Sequence, residues 1–272
     1  MVLRISEHCN ARVIRCGNEV GGKVLYWVNF YEYKDVLFDS GCPHTAGEVF
    51  ETFKNKKGVL ITHYHEDHIG GAVELQKTMK IFAPEKSLYI LRNPPEIPQY
   101  RKIVWGQPRP IFAEKLDSPL ILENLEIDVI DTPGHSFDHV SFLVDKKLFC
   151  GDLVITRGQV VCLREERLKE TIKSLEKVLS YDFEYAYSGI GVLEREKVED
   201  YLIYLKELKK EVERLYKAGK SVEEIVLEVF PNPPEKALLM EIVSEKEWAR
   251  ENMVRSLLPN DLGTRFNKSE DF

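Results

Sequence analysis

Three imidazoles and two carboxylates fall within the six residues His63-Tyr64-His65-Glu66-Asp67-His68. The chain has only seven histidines, and two more of them, His135 and His139, share one other short segment. Imidazole and carboxylate together suit Zn, Fe, Mn and related divalent ions. His63 and His65 are two apart, so in extended chain both point to one face and can ligate one ion. Asp67 and His68 fall at the turn into the next helix, within reach of a second ion. Polar residues gather in loops by chance, but three of seven histidines in one hexapeptide make a metal site the stronger reading.

Around this cluster the hydrophobic pattern sets a strand before it and a helix after it. Gly58 to Thr62 reads as a short buried strand, and residues 69–79 as a helix with Val73, Leu75 and Met79 among its apolar positions. That is the βα unit of an α/β protein, and such proteins collect their chemistry at C-terminal strand ends. Upstream, residues 2–39 read as strands: Arg12 to Cys16, Lys23 to Tyr33 after the Gly21-Gly22 turn, and Asp35 to Phe38, ended by Asp39-Ser40-Gly41. Residues 45–54 look helical, with the basic run Lys54-Asn55-Lys56-Lys57 at the end. Residues 92–119 hold six of the thirteen prolines, Pro94, Pro95, Pro98, Pro108 and Pro110 among them, together with Tyr100 and Trp105. A long irregular connection of this kind is a lid or a loop packed on the core. Strands resume at Leu125 to Ile130, Val140 to Val144, Lys147 to Phe149 and Tyr185 to Tyr187, with a helix from Glu165 to Leu179. The remainder is mostly helical: Glu194 to Tyr216, Ser221 to Val229 with a capping box at Ser221 and Glu224, and Glu245 to Leu258. Phe230-Pro231-Asn232-Pro233-Pro234 reads as a linker among these helices.

The run His-x-His-x-Asp-His after a short apolar strand resembles the signature of the metallo-β-lactamase superfamily. Further segments resemble that family's motifs in the same order: Phe38-Asp39-Ser40-Gly41, Thr132-Pro133-Gly134-His135-Ser136, Cys150-Gly151-Asp152 and Tyr187-Ser188-Gly189-Ile190-Gly191. The resemblance covers about residues 10–192 and ordered motifs make it specific. It implies an α/β fold, the four-layered αββα sandwich, with a helical C-terminal extension. The expected division is a catalytic domain at 1–192 and an extension at 193–272. By resemblance, His63, His65 and His135 would hold a first metal, Asp152 would bridge two metals, and Asp67 and His68 would hold the second. Asp39 would accept a proton from a ligating imidazole. His139 is expected to be buried and hydrogen-bonded without touching metal.

One position departs from the family. Its closing motif supplies another histidine to the second metal, and here Ile190 stands there. The second site then keeps Asp67, His68 and Asp152. Three outcomes stay open: one metal on His63, His65, His135 and Asp152; a second metal held weakly and completed by water or substrate; or a replacement ligand, for which His44 is the only spare histidine nearby. The expectation is one strong zinc site with the second weak or empty, iron and manganese being alternatives.

The function implied is a metal-dependent hydrolase that attacks an ester-like bond with water activated on the metal, a small thioester or lactone being favoured. Asp67, with His68 beside it, is the expected catalytic pair that orients the water or moves its proton. Two other readings compete: a mono-iron enzyme like the sulfur dioxygenases of the same superfamily, and a binding protein with a degraded metal site. The net charge of −7 speaks against nucleic acid as a partner. Five scattered cysteines without a CxxC pair, and no apolar run long enough to span a membrane, lead to the expectation of a cytoplasmic protein. The expected partner is a small-molecule substrate, with a homodimer left open.

Overall fold

In a computed structural model, which describes residues 1–122, 124–155 and 158–258, the strand Val28–Tyr33 is buried at every position. Its alternating side chains serve two cores: Val28 and Phe30 pack in one, Tyr31 and Tyr33 in another. A strand buried on both faces must lie between two layers. It belongs to a seven-stranded sheet in the order Val2–His8, Ala11–Gly17, Val28–Tyr33, Val36–Phe38, Gly58–Leu60, Lys80–Ala83, Glu114–Lys115. The pairs from Val36–Phe38 onward are parallel. A six-stranded sheet runs Leu120–Leu122, Leu125–Asp131, Val140–Val144, Lys147–Gly151, Tyr185–Ser188, Gly191–Glu194. Its one parallel pair, Lys147–Gly151 with Tyr185–Ser188, is bridged by the helix Leu168–Leu179.

Three apolar clusters define four layers. Between the sheets lie Phe38, Leu60, Phe142, Phe149 and Tyr187. Outside the first sheet, Val49 and Phe53 of the helix Ala46–Phe53 pack with Leu37 and Val59. Outside the second, Leu168 and Leu175 pack with Leu205 and Val212 of the helix Arg195–Lys217. The arrangement is the expected αββα sandwich. Val222–Val229 begins with the capping box, the Ser221 hydroxyl accepting from the Glu224 amide and the Glu224 carboxylate from the Ser221 amide. Among the described residues no helix is long and apolar enough to cross a membrane.

Four expected elements differ, each for a local reason. The strand expected over Lys23 to Tyr33 begins only at Val28; Lys23–Val24 instead closes a small hairpin with Glu19–Val20, and Leu25 N donates to Asn18 O at 2.9 Å. The helix expected over 69–79 is two short ones, Glu66–Ile69 and Ala72–Leu75. Between them, Gly70 N donates to Gly41 O and Gly71 N to Ser40 O (2.7 and 3.1 Å), so the Asp39 loop takes the amides that a continuous helix would use. The proline-rich segment contains a helix, Gln99–Val104, and buries Ile97, Trp105, Ile111 and Leu116. The last helix is shorter, Arg250–Leu257, because Trp248–Ala249 pairs as a strand with Cys162–Leu163; the proline linker leads into a further helix, Glu235–Val243.

Candidate metal centre

Every site residue named by the motifs sits just past a strand end. Asp39 follows Val36–Phe38, His63 to His68 follow Gly58–Leu60, His135 follows Leu125–Asp131, and Asp152 follows Lys147–Gly151. The sheets bring these ends together. Ring centroids of His63 and His65 are 4.6 Å apart, His63 and His135 5.0 Å, and His65 and His135 4.8 Å. His65 Nδ1 and His135 Nε2 face each other at 3.0 Å. Asp152 reaches both halves of the cluster, with His68 Nε2 3.3 Å away and His135 Nε2 3.6 Å away. Asp67 is farther, 3.8 Å from His68 Nε2. Among the described residues, two groups have ligand atoms mutually within 4.8 Å: His63, His65 and His135; and His63, His68 and Asp152.

The opposite ring nitrogens of His63, His65 and His68 are tied down. His63 Nδ1 is 2.9 Å from the Thr62 hydroxyl, which donates to Asp39. His68 Nδ1 is 2.7 Å from Asp39 Oδ2. Asp39 therefore orients two imidazoles, with Thr62 N bonding its Oδ1 at 2.8 Å. His65 Nε2 meets Glu165 Oε1 at 2.7 Å, and the Tyr64 hydroxyl donates to Glu165 Oε2 at 2.6 Å. These bonds leave His63 Nε2 and His68 Nε2 buried without a partner. A buried polar atom left unpaired costs about 1–3 kcal/mol, and lone pairs aimed at a common point beside carboxylates are what a divalent cation uses. The residues present fit a metal ion.

The charges are strongly coupled. Burial, followed by the surrounding imidazoles, pushes His63 well below the ordinary histidine range. Burial would lower His68 and His135 too, but carboxylates outweigh it: Asp152, Asp39 and Asp67 raise His68, and Glu166, Asp152 and Glu165 raise His135 to about 9. Burial and the nearby Asp152 hold Asp67 above the usual carboxylate range, against the pull of His68. Burial works against ionisation of Asp152 as well, yet His68 and His135 bring it well below that range.

Two other histidines are accounted for. His44 Nε2 is 2.8 Å from Lys102 O and lies in neither candidate ligand group. His139 is buried, its Nδ1 2.9 Å from the Thr132 hydroxyl. Near Ile190 the backbone comes very close to the site: a Cβ on Gly189 would stand 2.1 Å from Asp152 Oδ1. Sequence reasoning missed Glu165, which it placed at a helix start, and Arg101, whose guanidinium grips Glu66 at 2.7 Å and Glu247 at 2.9 Å. It could not pair them, because their partners lie far away along the chain.

Imidazoles and carboxylates gathered at the strand ends of an αββα sandwich define a class of metal-site proteins. The chain belongs to the metallo-beta-lactamase superfamily, whose model matches residues 24–190. It is similar to hydroxyacylglutathione hydrolases: 34% identical over 105 residues to that of Shewanella loihica, covering 37% of this chain and 35% of the relative. To that of Haemophilus ducreyi it is 36% identical over 121 residues, covering 43% and 45%. The matches thus span between about a third and a half of the curated relatives. A metallo-beta-lactamase family protein of Thermus thermophilus shares the fold at TM-score 0.61, with 19% identity and 91% of each chain covered. A metallo-beta-lactamase of Pontibacter korlensis does so at TM-score 0.58, with 17% identity, covering 75% of this chain and 99% of the other.

Proposed function

We propose that the protein is a metal-dependent hydrolase of a carboxylic thioester or lactone. The observation that carries this reading is the convergence of His63, His65 and His135 with Asp152 beside them. In this reading His63 Nε2, His65 Nδ1, His135 Nε2 and Asp152 hold the cation, and Asp67 and His68 form a weaker second position with Asp152. Zinc is favoured. A divalent cation there supplies Lewis acidity, lowering the pKa of bound water from about 15.7 toward about 7 and polarising the scissile carbonyl.

The chain's own groups do the rest. Asp39 and Thr62 fix the ring of His63, Asp39 fixes His68, and Glu165 fixes His65. Asp67 lines the adjoining cavity, and its raised carboxyl pKa suits a base that takes the proton from the attacking water and returns it to the leaving group. The acyl C–S or C–O bond breaks and the water oxygen bonds to the acyl carbon; a thioester gives a carboxylic acid and a thiol, and a lactone opens to a single hydroxy acid. Residues 1–192 carry this chemistry, and the helical extension supplies the far side of the cavity. The names of the hydroxyacylglutathione hydrolases support the thioester.

The test is elemental analysis of the purified protein together with turnover on thioester and lactone panels. One tightly held ion per chain is expected, with turnover lost on chelation and regained with zinc. Asp67→Asn should lower turnover about 100-fold or more while metal content changes little. Equal loss of both would make Asp67 a ligand. Oxygen consumption with iron bound would replace hydrolysis by the oxygenase reading.

A further inference from the structure

The cavity beside His65, Asp67, His135 and Asp152 has a volume of about 330 Å³. That falls in the range of small-molecule sites, roughly 300–1,000 Å³, and exceeds what a two- or three-carbon acyl group needs. Away from the metal ligands its wall is apolar: Ile155, Val160, Val161, Leu163, Ala237 and Met240. Trp105 and Trp248 also border it. Of the polar side chains described on the wall, Gln159 and Arg101 are already engaged, whereas the buried Trp105 Nε1 and Trp248 Nε1 have no partner. Gln159 Oε1 accepts from the Tyr201 hydroxyl at 2.5 Å, and its Nε2 donates to Val161 O at 3.1 Å. Arg101 is spent on Glu66 and Glu247. Lys236 Nζ lies over the Tyr26 ring, 5.5 Å from its centroid. A hydroxyl or carboxylate deep in this space would lose water without gaining the Gln159 or Arg101 groups. Ala237, Met240 and Trp248 lie beyond residues 24–190, the stretch matched by the family model, so this part of the wall lies outside the family pattern.

We propose that the cavity receives the acyl side of the substrate, and that this acyl group is an apolar chain or ring of medium length. The substrate class is the thioester or lactone of a fatty or aryl acid, in contrast to a short hydroxy acid. This substrate class rests on the hydrolase reading above and sharpens it. The catalytic groups set where the carbonyl lies; Ile155, Val160, Val161, Leu163, Ala237 and Met240 set what hangs from it.

The test uses the zinc-loaded full chain with acetyl, butyryl, hexanoyl and octanoyl esters of one thiol. kcat/KM is expected to rise about fourfold per added methylene until the space is filled. Met240→Trp should cut the octanoyl-to-acetyl ratio at least about tenfold, and Ala237→Phe provides a second filling, at another position of the wall, should the first variant not fold. A separate arm measures tryptophan fluorescence of Trp105 and Trp248 in the metal-free chain, where octanoate should quench at lower concentration than acetate. Hydrolysis with a flat or falling chain-length series overturns the inference and leaves the hydrolase reading standing. If no ester is cleaved, the hydrolase reading fails; octanoate binding no tighter than acetate then overturns the apolar cavity as well.

Discussion

In His63, His65 and His68, the bond made by one ring nitrogen sets where the other nitrogen points. His65 is the clearest case. Its Nε2 bonds Glu165 Oε1 at 2.7 Å, so its Nδ1 is the atom turned toward His135. Carboxylates that orient a ligating histidine are worth about 10–100-fold in metal affinity. Glu165→Ala is therefore expected to weaken zinc binding by that factor while Tyr64→Phe, which removes only the hydroxyl bond to the same carboxylate, does far less. Competition with a chelating dye measures both; equal affinities for Glu165→Ala and the parent would remove Glu165 from the site. The cluster at 63–68 was legible in the sequence because ligand types crowd there, while His135 and Asp152 were legible only through the ordered motifs that resemble the superfamily's. Glu165 was not, because nothing local distinguishes a carboxylate that meets an imidazole 100 positions away from one on a solvated helix.

At the scale of elements, the helix Gln99–Val104 shows what the pattern conceals. Prolines and aromatics marked the segment as irregular, yet its Arg101 joins the turn after Gly58–Leu60 to the C-terminal helical region, pairing Glu66 and Glu247. Tyr100 adds a bond to Glu247 at 2.6 Å. The Arg101 and Glu66 side chains are only 11% and 2% exposed, and removing one partner of a buried pair costs about 3–5 kcal/mol because the other charge stays uncompensated. Arg101→Met should lose stability of that size in denaturant unfolding; a change under about 1 kcal/mol would reduce the pair to the worth of a surface contact. The long strands and the helices 168–179 and 195–217 were readable because their periodicity is complete within the element. The break at Gly70-Gly71 was not, since its cause is a loop from residues 39–43.

For the whole molecule, two sheets carry their strand ends to one rim, and the charges there must change together when a cation enters. In the metal-free protein His135 is raised to about 9, above the ordinary histidine value. Its proton stabilises the fold most fully below pH about 6.5, and that contribution fades as pH rises through about 9. A cation displaces the same proton, so zinc affinity should climb between pH about 7 and about 9, and zinc uptake at neutral pH should release protons. Calorimetry in buffers of different ionisation enthalpy reads this directly; no proton release would contradict it. The most direct test of the four-residue metal site is anomalous diffraction at the zinc edge from crystals of the zinc-loaded protein. A dominant peak is expected, bonded at about 2.0–2.2 Å to His63 Nε2, His65 Nδ1, His135 Nε2 and the Asp152 carboxylate. A peak elsewhere, or none among these four side chains in zinc-replete crystals, would contradict that site.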